Sequence, residues 1–373
     1  MKNFFTNQLV FKPVVSALLA LALTLIISAD INSDTLISTL IGSSDIEVSD
    51  FYNRVRAGSS RKHFDDEIIV VNIDSVFDRG ELALILLSLL EADVKSVGFD
   101  VILQDDKEFE SDMFLKDVLE SSPKIVASQK FNVHTLKPES DFLSRYDVKV
   151  RRGMANLVTK RNSDMVRNFS PSMKGEKEYL TLPSEMIRSL DSKAFSRLSS
   201  LNHEEMIRFR PTEFFVIEPK DIEDNKKLLK DKIVFLGTIN EKDDLHHTPL
   251  SRETPGVLIQ ANILSMMLHE DYTSGKSRYF NLFFGIISCL GLSFLYVFLD
   301  NSQNLAIRII PIVWIFIVIL IGCWWFDSFA IYINAPQTML LTAFAILVLD
   351  FWTALEKPFN KLMIKLKKSK NET

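Results

Sequence analysis

The chain has 373 residues, of which 47% are apolar, and it carries 43 Lys and Arg against 48 Asp and Glu. An apolar share of that size with a positive mean hydropathy argues that part of the chain is not soluble. The acidic balance argues against a nucleic-acid partner, because binding nucleic acid depends on neutralising phosphates with basic side chains.

The first apolar window, Leu9 to Ser28, follows Lys2 and contains Lys12. About 20 apolar residues in a helix cross a hydrocarbon core of roughly 30 Å, so this window is read as a transmembrane helix after a short cytoplasmic N-terminus, residues 1–8. A cleavable signal peptide is the alternative, since small residues occur near the end of "LIISAD"; the long core and the lack of a clear A-x-A favour a retained anchor. Residues 31–61, rich in Ser, Asp and Asn, read as a connection with helix near "DFYNRVRA".

Residues 30–279 then read as an α/β domain. The strand "EIIVVNID", the helix "GELALILLSLLEA", the strand "KSVGFDVIL", the helix "SDMFLKDVLES" and the strand "PKIVASQ" alternate, which predicts a mixed, largely parallel sheet with flanking helices. The middle is less regular: "NLVTKRNSDMVRNFSP" reads as two short strands around a polar turn, and "LPSEMIRSLDSKAFSRL" as one amphipathic helix. A buried strand, "DKIVFLG", leads into "DDLHHTPLSRETPGVLIQANIL", where Pro255 and Gly256 start a helix and Thr248-Pro249 shapes the loop.

Asp74 and Asp100 each end a predicted strand. Ligands in open α/β sheets bind beyond the carboxyl ends of the strands, so the two carboxylates are candidates for a cation or polar ligand. The alternative is that each caps a following helix or turn. Asp243, Asp244, His246 and His247 have zinc-compatible chemistry, but adjacent histidines point in different directions and recognisable ligand spacing is missing, so no metal site is expected. A histidine in an exposed compartment is also a candidate pH sensor. No Gly-rich phosphate loop or nucleophile elbow occurs in the sequence, and no catalytic residue or cofactor is expected.

Three further windows, residues 280–299, 306–326 and 336–355, are long and apolar enough to span a membrane. The tail, residues 356–373, carries six lysines, and Arg308 starts the third span; with Lys2 and Lys12 they place both termini in the cytoplasm and residues 30–279 outside, against the weak opposing signal of Lys276 and Arg278. The outer segment then holds 34 basic and 43 acidic residues, a formal charge of −9. Both cysteines, Cys289 and Cys323, fall in spans, so the outer domain has no disulfide available. Gly285, Ser288, Cys289 and Gly291 offer small-residue faces for helix packing or a homo-oligomer interface. Asp350 is either a functional intramembrane acid or part of a wetted terminal turn.

This pattern resembles the second type of CHASE domain, the extracellular sensory domain associated with cyclases and histidine kinases. The resemblance rests on Asp74 in "IIVVNID", Asp100 in "VGFD", Asp164 and Arg167 in "NSDMVRN", and "DKIVFLG". It rests further on Asp244, Thr248 and Pro249 in "DLHHTP", on Pro255, Gly256, Ala261 and Asn262 in "PGVLIQAN", and on "INAPQ" before the last span. The chain departs from the family pattern at "SVFDRGELAL", at Gln260 where His is expected, and at Asp164-Met165 where Asp-Gly is usual. The resemblance implies one N-terminal span, an outer α/β domain and three closely spaced spans, with Asp74, Asp100, Asp164, Arg167, Asp244, Thr248 and Asn262 as ligand-site candidates.

The resulting expectation is a non-enzymatic, multi-pass protein of the bacterial inner membrane. Its periplasmic domain binds an unidentified ligand or protein, and the helix bundle or the lysine-rich tail hands the signal to a separate cytoplasmic or membrane signalling or envelope protein. A scaffold subunit of an envelope complex, with no sensing role, is the second expectation.

Overall fold

The computed structural model describes residues 11–24, 47–59, 63–76, 78–159, 164–198, 204–209, 212–273, 277–299 and 306–371. In chain order the elements that matter here are helices α1 (Phe11–Thr24) and α2 (Val48–Ser59), strand β1 (His63–Asn72), α3 (Arg79–Glu91), β2 (Ser96–Phe99), α4 (Phe109–Ser121) and β3 (Ile125–Gln129). They continue with β4 (Arg151–Met154), β5 (Val158–Thr159), β6 (Val166–Phe169), α5 (Leu182–Leu190), β7 (Glu205–Met206), β8 (Thr212–Ile217) and β9 (Ile233–Gly237). The last elements are β10 (Leu245–His246), β11 (Thr254–Pro255), α6 (Gly256–Leu268), α7 (Ser277–Leu299), α8 (Ala306–Phe329) and α9 (Ala335–Asn371). The chain divides into two compact units, residues 53–275 and residues 1–52 with 276–373.

The first unit is built on a six-stranded sheet in the order β8-β1-β9-β2-β3-β4, with every pairing parallel. Parallel strands are covered on both faces, which is why β2, β3 and β9 are buried along their whole length. One face carries a core with Ile69, Val71, Leu86, Leu89, Phe99, Leu115, Leu119 and Leu236, so α3 and α4 pack there. The other face carries Ile68, Val70, Phe235, Met186, Ile187, Ile259 and Ile263, so α5 and α6 pack there. Alternate residues of β1 therefore serve opposite cores, as the period of two requires. A small antiparallel sheet, β7-β6-β5, and the hairpin β10–β11 complete the unit.

Strand β2 lies within "KSVGFDVIL" and ends at Phe99, beside Asp100 as expected. Other expectations are corrected in detail. The stretch expected as one helix over "LPSEMIRSLDSKAFSRL" is two helices, since Asp191 interrupts it and turns its carboxylate onto the backbone N–H groups of Lys193 and Ala194. The helix after β1 is capped by Asp78, which accepts from Gly80 and Glu81, and not by Asp74.

In the second unit, three helices are long and apolar enough to cross a membrane, over Phe280–Leu299, Ile309–Phe329 and Ala335–Trp352. The described part of the first window is α1, with 14 residues by its bounds, or about 21 Å at the helical rise. That length falls short of a hydrocarbon core, and residues 1–10 and 25–46, which include both ends of the window 9–28, lie outside the described residues. Helix α9 does not stop at the expected end of the fourth span but runs on to Asn371.

Small side chains share the packing in this unit with aromatic pairs such as Phe280–Trp325. Cys289 donates to Leu341 O at 3.9 Å, Ser16 donates to Ala345 O at 2.6 Å, and Trp314 Nε1 donates to Ser288 Oγ at 2.7 Å. Gly291, in contrast, meets no neighbour. Asp350 accepts a hydrogen bond from the Tyr296 hydroxyl of α7.

Candidate functional site

The carboxyl ends of β1, β9, β2 and β3 lie side by side in the sheet, which puts Asp74, the residues after Gly237, Asp100 and Ser128 along one edge. Open α/β sheets bind ligands at this edge. The pairing Phe99–Ala127 brings the next residues opposite each other, and Ser128 Oγ donates to Asp100 Oδ1 at 2.8 Å. The Asp100 backbone N–H is held by Leu236 O of β9 at 2.8 Å, so the carboxyl group is fixed at the centre of the edge.

The hairpin β10–β11 supplies the remaining groups. Asp244, just before β10, and His246, within it, lie 3.4 Å apart between Oδ1 and Nε2, with side chains 41% and 30% exposed and so open to solvent. The Asp244 carboxylate lies against Gly256 at the start of α6, where a Cβ would come within 2.5 Å of Oδ1. Glycine at 256 is thus what allows the acid to approach the positive end of the helix. At Gly237 a Cβ would come within 2.8 Å of Val257 Cγ2, so a second glycine lets α6 approach the edge near Asp100.

Electrostatics distinguish the two strand-end acids. Burial pushes the Asp100 carboxyl up to about 7; the Ser128 hydroxyl opposes the rise, the Asp244 carboxylate adds to it, and His246 opposes it. At Asp74 desolvation also raises the pKa, but it is outweighed by hydrogen bonds from the Asn240 and Ile239 backbone and from the Asn240 and Asn72 side chains, which hold it below its ordinary value. The distances are 2.9 Å from Ile239 N, 3.1 Å from Asn240 N and 2.6 Å from Asn240 Nδ2. Asp74 is therefore a clamp for the loop after β9.

The other sequence candidates are placed as follows. Asp164 is exposed and precedes Met165, which bridges to His247 of the hairpin loop; Val166 N donates to His247 O at 2.8 Å. Arg167 is buried in β6. The buried Thr248 hydroxyl contacts Ser251 O at 3.2 Å and Thr254 Oγ1 at 3.0 Å, closing the loop, while Pro249 O accepts from Arg54 Nε at 2.9 Å. Pro255 precedes the first residue of α6 with φ −57, and Asn262 Nδ2 donates to Leu258 O of its own helix. Gln260, at the position where His was expected, ties α6 to Ala155 O at 2.9 Å.

The structure thus brings Asp100 and Asp244 together with two residues outside the ligand-site candidates, Ser128 and His246. Ser128 had a signal: it is a polar residue at the carboxyl end of an otherwise buried strand, "PKIVASQ". Among the described residues, no three His, Cys, Asp or Glu side chains are arranged to hold a metal ion.

A family model described as the CHASE2 domain matches residues 19–299, about three quarters of the chain. The chain belongs to the CHASE2 domain family. No curated protein and no solved structure matches it. A CHASE2 sensory domain together with several apolar helices fits a membrane sensor, and the strand-end site lies inside the CHASE2 match.

Proposed function

We propose that the protein is a sensor of the bacterial inner membrane whose CHASE2 domain faces the periplasm and reads a polar ligand or an envelope protein at the strand-end site. The observation that carries this reading is the group of Asp100, Ser128, Asp244 and His246 at the carboxyl edge of the parallel sheet, with Asp244 and His246 open to solvent over the buried Ser128. The amphoteric set of two carboxylates, a hydroxyl and an imidazole suits a ligand with a cationic or hydrogen-bonding group; the Ser128 hydroxyl donates to Asp100 but is fully buried in β3, so binding is favoured over catalysis. The proposed topology has α1 extended into an N-terminal span, both termini in the cytoplasm, and three spans after the CHASE2 domain. Ligand binding biases a two-state equilibrium by no more than its difference in affinity for the two states. The signal passes to a separate partner protein, with the lysine-rich continuation of α9 as the contacting element.

One observation favours the scaffold reading: Asp74, Thr248 and Asn262 use their polar atoms on internal hydrogen bonds. Purifying the intact protein from its native membrane separates the two. A kinase or cyclase subunit at variable occupancy supports sensing, and a stable envelope assembly of fixed composition contradicts it.

A further inference from the structure

We infer that the β10–β11 hairpin is a proton-operated latch, closed over the strand ends when Asp100 holds a proton and released when Asp100 loses it. The inference rests on the reading of this edge as the sensing site. It adds that the proton is itself an input.

Three observations carry it. First, Asp100 is fixed from two sides, by Ser128 of β3 and by the Leu236 carbonyl of β9, so it cannot move away from a neighbouring charge. Second, among the described residues the charged groups that act on it are Asp244 and His246, and both ride on the hairpin and not on the sheet. Third, the hairpin is lightly held. Its ladder is two residue pairs, Leu245–Pro255 and His246–Thr254, its outer links are the Met165–His247 bridge, the Val166 N–His247 O bond and the Arg54–Pro249 bond, and Leu250, Ser251, Arg252 and Glu253 are exposed. Segments with few buried apolar contacts open at low free energy, so a change in charge beneath them is enough to shift their population.

A neutral Asp100 accepts from Ser128 and leaves Asp244 free to lie between Gly256 and His246. An ionised Asp100 sets two carboxylates against one imidazole. The direction of the Asp100 shift, up to about 7, places the change within the physiological range. Ser128 lowers the proton affinity of Asp100 and Asp244 raises it, so removing the first should move the transition and removing the second should take away the repulsion that drives it.

The test uses the full chain in lipid nanodiscs. Limited trypsin digestion is followed at the exposed Lys242 and Arg252, which flank and lie within the hairpin, and is normalised at each pH to a free peptide with the same cleavage bonds. The wild type is expected to be cut several-fold faster at pH 8 than at pH 6. Asp100→Asn removes that dependence and stays protected at both. Ser128→Ala shifts the midpoint to higher pH, and Asp244→Asn, which leaves Asp100 no carboxylate to oppose, flattens the dependence, which keeps the test decisive should Asp100→Asn fold poorly. A wild-type ratio of one, an Asp100→Asn or Asp244→Asn profile identical to wild type, or a Ser128→Ala midpoint moved to lower pH would overturn the latch. Partner copurification fails or succeeds independently of this digestion, so loss of the sensing reading and loss of the latch are told apart.

Discussion

The ends of β1 and β2 carry the same residue in the same topological position, and they behave in opposite ways. Asp74 is met by two backbone N–H groups and two amide side chains, so its charge is welcomed; Asp100 is opposed by burial first and by the Asp244 carboxylate, with only the Ser128 hydroxyl and the His246 imidazole working for its charge. Position at a strand end does not by itself make a site. What decides is how deeply the acid is buried and how many donors the next loop delivers against that burial. The loop after β9 delivers its N–H groups to Asp74, whereas the segment reaching Asp100 from the hairpin side brings Asp244.

The contrast can be broken by mutation. The largest effect is expected for Asp74→Ala, which strands the donors of Ile239 and Asn240. It should cost about 2 kcal/mol, or roughly 4–8 °C in the midpoint of a domain of this size, measured by thermal unfolding. Thr248→Val comes next. It keeps the shape but orphans Ser251 N and Thr254 Oγ1, at a cost of about 1 kcal/mol in the same measurement. Gly256→Ala is the smallest. The atom it strikes is the end of the Asp244 side chain, so stability should change by no more than about 0.5 kcal/mol while trypsin cutting at Arg252 rises, since the acid is pushed from its seat. A large loss of stability with an unchanged hairpin would show that Gly256 serves packing alone.

The alternating segments from "EIIVVNID" to "PKIVASQ" were legible because strands buried on both faces and core-facing helices must be apolar at fixed periods. Strand β4, "RRGM", was not legible. Its arginines break the apolar pattern, and they serve main-chain carbonyls instead: Arg152 ties down the preceding turn at Leu143 O, 2.8 Å, and Val148 O, 2.9 Å, while Arg151 reaches Pro123 O. Edge strand β8, "TEFFVI", was missed in the same irregular middle region. At the site, Asp100 and Asp244 were legible as acids beside strand and turn signals. Their union was not, because 144 residues separate them and only the insertion of β9 between β1 and β2 brings the hairpin to that edge. Asp78 rather than Asp74 as the cap of α3 was equally hidden, since both precede the helix by a plausible distance.

The most direct measurement is the thermal stability of the full chain between pH 5 and 8, followed by circular dichroism in detergent, for wild type, Asp100→Asn and Asp74→Asn. A carboxyl whose folded pKa is raised holds a proton that the unfolded chain has released, so its contribution to stability is present at acid pH and is lost as pH rises towards the folded value. Wild type should therefore lose stability up to about pH 7, where Asp100 titrates. Glu185, also raised by burial against the opposition of Arg188 and Arg151, adds to the acid end of that slope. The Asp74 contribution has the opposite sign, present above the ordinary carboxylate range and lost on acidification below it. The predicted result is that Asp100→Asn loses the decline near neutral pH while Asp74→Asn keeps it at a lower midpoint; a decline that survives Asp100→Asn, or disappears in Asp74→Asn, would contradict the assignment of Asp100 as the responsive group.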